Sequence, residues 1–116
     1  MSVRVQNSTR STLLGDAIRL ADSSQTRRTG LLKSEKLVAG QGLWIVPCSG
    51  IHMFFMKFAI DAVFIDKKRK VRKAVPNLAP WKIALCLGAH SVIELPVGTI
   101  ESTQTEKGDQ LTLDIL

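Results

Sequence analysis

Two short segments carry the same pair of reactive side chains at the same interval. Cys48 and His52 in CSGIH, and Cys86 and His90 in CLGAH, each place a thiol four residues before an imidazole. A histidine that meets a cysteine helps to generate the thiolate that acts as a nucleophile. Two such pairs also supply the ligand types of a tetrahedral zinc site. Four residues of extended chain span roughly 13 Å, so each pair meets only where the chain turns. The Ser-Gly after Cys48 suits such a turn. Against both readings stands the commoner fate of a cysteine, burial as an inert apolar group, and the spacing is not the Cys–Cys knuckle of strong zinc motifs.

A second set of chemical groups lies in IHMFFMKFAIDAVFID, residues 51–66, the most apolar run of the chain. If extended, it puts Lys57 and Asp61 on one parity and His52 on the other, with Phe54, Met56 and Phe58. A carboxylate in so apolar a run needs donors, either backbone N–H groups or an arginine such as Arg27 or Arg28. His52 reads either as a hydrogen-bonded core residue or as a neutral base or ligand. Trp81, in the proline-bounded loop PNLAPWK, is placed to cover a pocket mouth, whereas Trp44 falls in an apolar strand and reads as core. Glu94 in IELP is either a buried acid or a solvent-facing one. The candidate ligand-binding residues are therefore His52, Lys57, Asp61, Trp81 and Glu94. Cys48 and His52 are the candidates for catalysis, and Cys48, His52, Cys86 and His90 the weak candidates for a metal.

The elements that must position these groups are short. VRVQN (3–7) alternates as a first strand. Leu13, Leu14, Ala17, Ile18 and Ala21 recur at helical intervals and predict a helix within STLLGDAIRLADSS. A second helical turn follows in SQTRRTGLLKSEKL, stopped at Gly30, and a strand spans 40–47. Residues 51–58 and 60–65 read as one long strand or two joined ones, apolar on both parities and so buried on both faces. A basic turn leads to a strand around 71–75. Another strand covers 91–96, a helical turn precedes Gly108, and QLTLDIL closes with Leu111, Leu113 and Ile115 on one side. The class is mainly β, with α+β character at the N-terminus: a compact β-barrel or β-sandwich with one or two short helices.

The chain of 116 residues is long enough for one core and reads as a single domain, 1–116. No run approaches the roughly 20 apolar residues of a membrane helix, and the basic N-terminus leads into no apolar signal segment. Reduced thiols in a cytoplasm are the expectation. The net charge of +6 is concentrated: KKRKVRK, residues 67–73, holds six of the sixteen basic residues, and the remaining ten balance ten acidic ones. A nucleic-acid surface spreads its charge along a face and interleaves aromatics for stacking; this window has none, so a solvated hairpin turn is the reading.

PCSGIHMFFMKFAIDAVFID resembles the pattern of a bacterial and archaeal family, domain-of-unknown-function family 192. RRTGLL (27–32), GLWIVP, VIELPVGTI and KGDQL match further parts of it in order, so the resemblance covers about residues 27–116. It implies a compact, mostly β barrel or sandwich, and no established reaction. Met53 stands where the family often has Thr, Gly50 where Ser is common and Ala59 where Pro is usual. The first two changes remove hydroxyls beside His52. The expected function is a small soluble binding module, with a pocket at one end of the β core for a small polar ligand or a partner peptide. No cofactor is expected, and the expected assembly is a monomer or small homo-oligomer. The alternatives are an enzyme or metal site using Cys48 and His52, and weak nucleic-acid contact through residues 67–73.

Overall fold

The structure, a computed structural model, describes residues 1–31, 34 and 36–116, without the side chains of Arg28 and Thr29. Strand β1 (Ser2–Asn7) alternates exposed and buried side chains throughout, turning Val3, Val5 and Asn7 inward. It pairs antiparallel with β2 (Thr12–Ala21). The helix expected over this stretch is thus a strand, and its irregular ladder explains the false period. Val3 faces Ile18 while Val5 faces Gly15, so β2 carries an extra residue opposite β1. Such a bulge breaks the two-residue alternation. Buried positions then fall at Leu14, Gly15, Ile18 and Ala21, intervals that imitate one face of a helix.

Helix α1 (Ser24–Thr29) is the short helical turn expected there. Ser23 and Thr26 form a capping box at its start, and Gly30 ends it at a φ of 48°, which suits a residue without Cβ. Residues 32, 33 and 35 of the expected segment lie outside the described residues. The crossover through α1 makes β3 (Gln41–Ile45) parallel to β2. Of the strand expected at 51–58, only β4 (Gly50–His52) is extended. Residues 53–59 form a loop in which the N–H of Met56 turns back to the carbonyl of Met53 and Phe55 takes a φ of 66°. The strand parities expected around His52 and Lys57 therefore do not hold.

The remaining elements are β5 (Ile60–Ile65), β6 (Val71–Leu78), β7 (Ile83–Leu85), β8 (Ser91–Leu95), α2 (Thr99–Thr103) and β9 (Leu111–Ile115). Seven strands form one sheet in the order β6-β5-β8-β3-β2-β1-β9, while β4 and β7 pair separately. The large sheet curls into a half-barrel, and with 48% strand and 8% helix the molecule is mainly β and a single compact domain. Its outer strands meet at one end: Lys70 bridges Gln110, Val71 N–H donates to Asp109, and Gly108 N–H donates back to Val71.

All six residues of β5 are buried, the two-sided burial expected of its apolar run. Its side chains alternate between two cores: Val63 and Ile65 join Val3, Ile18 and Trp44 on one face, whereas Ala62 and Phe64 join Ile45, Met53 and Met56 on the other. Each large side chain sealed in this way contributes about 1.5–3 kcal/mol over an exposed one. On β8 the same alternation sends Ile93 and Leu95 to the first core and Val92 to the second. By that parity Glu94 points toward the second core, beneath the β4–β7 sheet. Among the described residues, no helix is long and apolar enough to cross a membrane.

Candidate functional site

Glu94 is held where nothing on the sheet can answer it. Its ladder neighbours are Leu43 on β3 and Ala62 on β5, both apolar. The residue is 6% exposed, and no hydrogen bond is made to its carboxyl by any described group. Burial pushes its pKa up to about 7. Every sealed polar side-chain atom among the described residues has a hydrogen-bond partner, so the partnerless carboxyl is not sealed. It opens instead onto a cavity of about 920 Å³ that it lines together with Cys48, His52, Arg27, Met53 and Met56.

The loop after β3 and strand β4 bring Cys48 and His52 to this cavity. The Cys48 thiol donates to the Gly50 carbonyl at 3.2 Å. Burial pushes the thiol pKa up; the Gly50 bond and the Arg27 charge pull against that, and the Glu94 charge adds to it. Burial therefore favours the protonated thiol at Cys48 over the thiolate that a nucleophile needs. His52 Nδ1 accepts the Phe54 N–H at 3.3 Å, leaving Nε2 to carry the ring proton of the neutral form. Arg27 comes from α1, where its guanidinium donates to the carbonyls of Ser23 and Pro47 at the cavity edge. In the sequence Arg27 stands out only as a partner for Asp61. The one signal that it belongs here was its place in the RRTGLL segment of the family pattern.

The other expected site residues lie elsewhere. Asp61 is buried and clasps three backbone N–H groups, those of Asn77 at 2.9 Å, Gly98 at 3.1 Å and Ile100 at 2.8 Å. Its donors are the backbone groups anticipated as one option, and its work is to tie α2 and the end of β6 to β5. The Arg28 side chain, the other option considered for it, lies outside the described residues. Lys57 is exposed on the 53–59 loop, outside the cavity lining. Trp81 is 58% exposed and does not line the cavity either. It reaches the rim through rings: Trp81 packs on Phe54 at 5.8 Å, and Phe54 stacks on His52 at 4.8 Å.

Cys86 and His90 do not line the cavity that Cys48 and His52 line. Cys86 lines a separate cleft between β6 and the α2–β9 connection. His90 contacts Ser91 at 3.1 Å and Arg69 at 3.4 Å, and burial first, then the Arg69 charge, lowers its pKa. Among the described residues, no three His, Cys, Asp or Glu side chains converge as metal ligands. The basic turn is a hairpin between β5 and β6, with Asp66 accepting the N–H groups of Lys68 and Lys70. Arg69 lies over the Trp44 ring at 5.0 Å and Lys73 donates to the Leu85 carbonyl, so part of this charge is turned onto the protein.

Comparison with known proteins agrees with this architecture. The chain is 30% identical to a UPF0127 protein of Thermococcus sibiricus, over 94% of this chain and 73% of that one. It is 35% identical to a UPF0127 protein of Pyrococcus horikoshii, over 81% and 84% of the two chains. Two crystal structures share the fold. One is a proposed transcription regulator from Sinorhizobium meliloti (TM-score 0.82, 21% identity, 96% of this chain and 91% of that one). The other is a protein of unknown function from Novosphingobium aromaticivorans (TM-score 0.81, 19% identity, 97% and 84%). The family model described as "Uncharacterized ACR" matches residues 4–113, and the chain belongs to that family, domain-of-unknown-function family 192.

Proposed function

We propose that this protein is a small binding module whose ligand is anchored by Glu94. The observation that carries the reading is a carboxyl buried at the wall of a cavity with no hydrogen-bond partner among the described residues. Leaving such a group unanswered is costly, and a ligand that donates a hydrogen bond or carries a positive charge removes the cost. The rest of the lining describes the ligand further. Leu31, Met53 and Met56 offer an adaptable apolar wall, and Arg27 offers a cation at the edge. A compact molecule with an apolar body and an amine, amide or hydroxyl head meets these demands. A protonated thiol at Cys48 belongs to such a wall as a weak donor, and catalysis is no part of the proposal.

Calorimetry against a panel of short alkyl amines, amides, alcohols and carboxylates tests this. The amines, amides or alcohols are expected to bind, and Glu94→Ala to weaken them by at least about tenfold. Tight binding of a carboxylate alone, or a ligand indifferent to Glu94→Ala, overturns the assignment. For an amine the affinity rises as pH climbs through about 7, because the carboxyl ionises over that range.

A further inference from the structure

We propose that β7 and its flanking turns form a docking strip for an extended, acidic peptide segment of a partner protein. The strip begins with an alternation facing the wrong way for a lone domain. Ile83 and Leu85 point outward on either side of buried Ala84, at 57% and 58% exposure. Trp81 and Leu87 continue the odd positions at 58% and 84%, and Phe55, 72% exposed, packs on Trp81 at 4.9 Å. Phe55 and Trp81 both hold positive φ values, 66° and 73°. Bulky residues take that conformation only against resistance, and here it displays two rings side by side. Four apolar side chains within residues 81–87, with Phe55 packed beside Trp81, are thus exposed along one stretch of chain. An exposed apolar cluster of this kind marks an interaction surface.

Charge and backbone geometry choose the occupant. Residues 67–93 contain seven Lys and Arg and no Asp or Glu, so a second copy laid on the strip would bring like charges together. An acidic partner is complementary. The β4–β7 ladder selects an extended one. Its flanking bonds run from Met53 N–H to Lys82 and from Cys86 N–H to Ser49. With antiparallel alternation, these turn the backbone groups of Ile83 and Leu85 to the opposite edge. Among the described residues, no strand pairs with β7 there. Lys73 reaches that edge and donates to the Leu85 carbonyl at 2.8 Å, which brings a cation to the line an added strand would follow. A bilayer would leave the edge N–H groups without acceptors, whereas an added strand supplies them.

Fluorescence anisotropy with the full chain tests this, using a labelled synthetic peptide of about ten residues that alternates Glu and Val, its Lys-for-Glu counterpart, and vesicles of phosphatidylcholine with about one-third phosphatidylglycerol. The acidic peptide is expected to bind and the basic one not to. The double variant Ile83→Ser/Leu85→Ser is expected to weaken binding by at least about tenfold, and Val97→Ser, at an exposed apolar position on the β8–α2 connection, to leave it unchanged. Hydrogen exchange in the unmutated chain supplies a reading free of any folding defect: the Ile83 and Leu85 amides slow when the acidic peptide binds. Equal binding of both peptides, no slowing at those amides, self-association through the strip, or binding to vesicles in place of the peptide would each overturn the proposal.

Discussion

Two carboxylates of the central strands illustrate how little a side chain's fate depends on its own sequence neighbourhood. Asp61 and Glu94 both sit in apolar runs on adjacent strands. Asp61 finds three backbone donors from segments 16, 37 and 39 residues away. Glu94 finds none among the described residues, and its pKa rises from an ordinary 4.5 to about 7 through burial. The demand for donors at Asp61 was legible, because apolar flanks predict burial. Which acid would be satisfied was not, since the donors come from loops whose approach only tertiary packing sets. The consequence of the Glu94 shift has a definite sign. Below about pH 4.5 the folded and unfolded states both hold the proton, and the group costs nothing. As pH rises the unfolded chain releases it first, so stability falls and levels off above about 7, by about 3 kcal/mol in all. Glu94→Gln is expected to remove that decline. Urea unfolding between these pH values would show the variant more stable than the parent at the upper end and nearly equal at the lower; parallel curves would refute the assignment.

At the scale of elements, what the sequence conveyed depended on whether an element's pattern was set locally. The fully buried β5 and the Gly30 stop of α1 carry their causes in their own residues, and both were readable. The β2 helix was misread because a bulge, fixed by pairing with β1, shifted the inward positions to helical intervals. The 51–58 strand was misread because aromatic residues that favour strands here decorate a loop bound through Met53 to Trp81 and Lys82. Gly42 shows a dependence that crosses elements. A Cβ there would lie 2.5 Å from the Glu94 carbonyl oxygen on β8 and 2.8 Å from Ile18 Cδ1 on β2. The absent side chain is what lets β3 and β8 approach beside the cavity. Gly42→Ala is expected to cost about 1–3 kcal/mol and to weaken ligand binding as well, because the displaced backbone is that of Glu94. A denaturation midpoint that falls while affinity holds would separate Gly42 from the site.

For the molecule as a whole, the open question of barrel or sandwich is answered by a seam. A seven-stranded sheet that curls without closing would leave both outer strands free, yet here one end is stitched. Leu111 N–H donates to Arg69, Val71 N–H to Asp109 and Gly108 N–H to Val71. A polar cluster around buried Asp109 backs these bonds: Asp109 accepts from Asn7 at 2.9 Å, from the Glu106 N–H at 3.0 Å and from Arg10 at 3.2 Å, while Arg10 also pairs with exposed Glu106. Burial alone would raise the Asp109 pKa, but these donors outweigh it and hold it below the usual 3.8. Asp109 therefore stabilises the fold above that ordinary value, and the contribution is lost as pH falls through the lowered one. Acid loosens the seam and neutral pH taxes Glu94, so the two carboxyls bound the stable range from opposite sides. Asp109→Ala removes the acceptor of the Glu106 N–H and of one Asn7 amide hydrogen, leaving Asn7 its bond to Thr105, and is expected to cost about 2 kcal/mol. The loss should be uneven. Hydrogen exchange is expected to speed first at the amides of Gly108, Val71 and Leu111, with those of β5 and β8 still protected, because the central strands keep their partners on both sides when the stitched end opens. Uniform loss of protection across all strands would instead mean that the sheet cannot stand as a half-barrel without its seam.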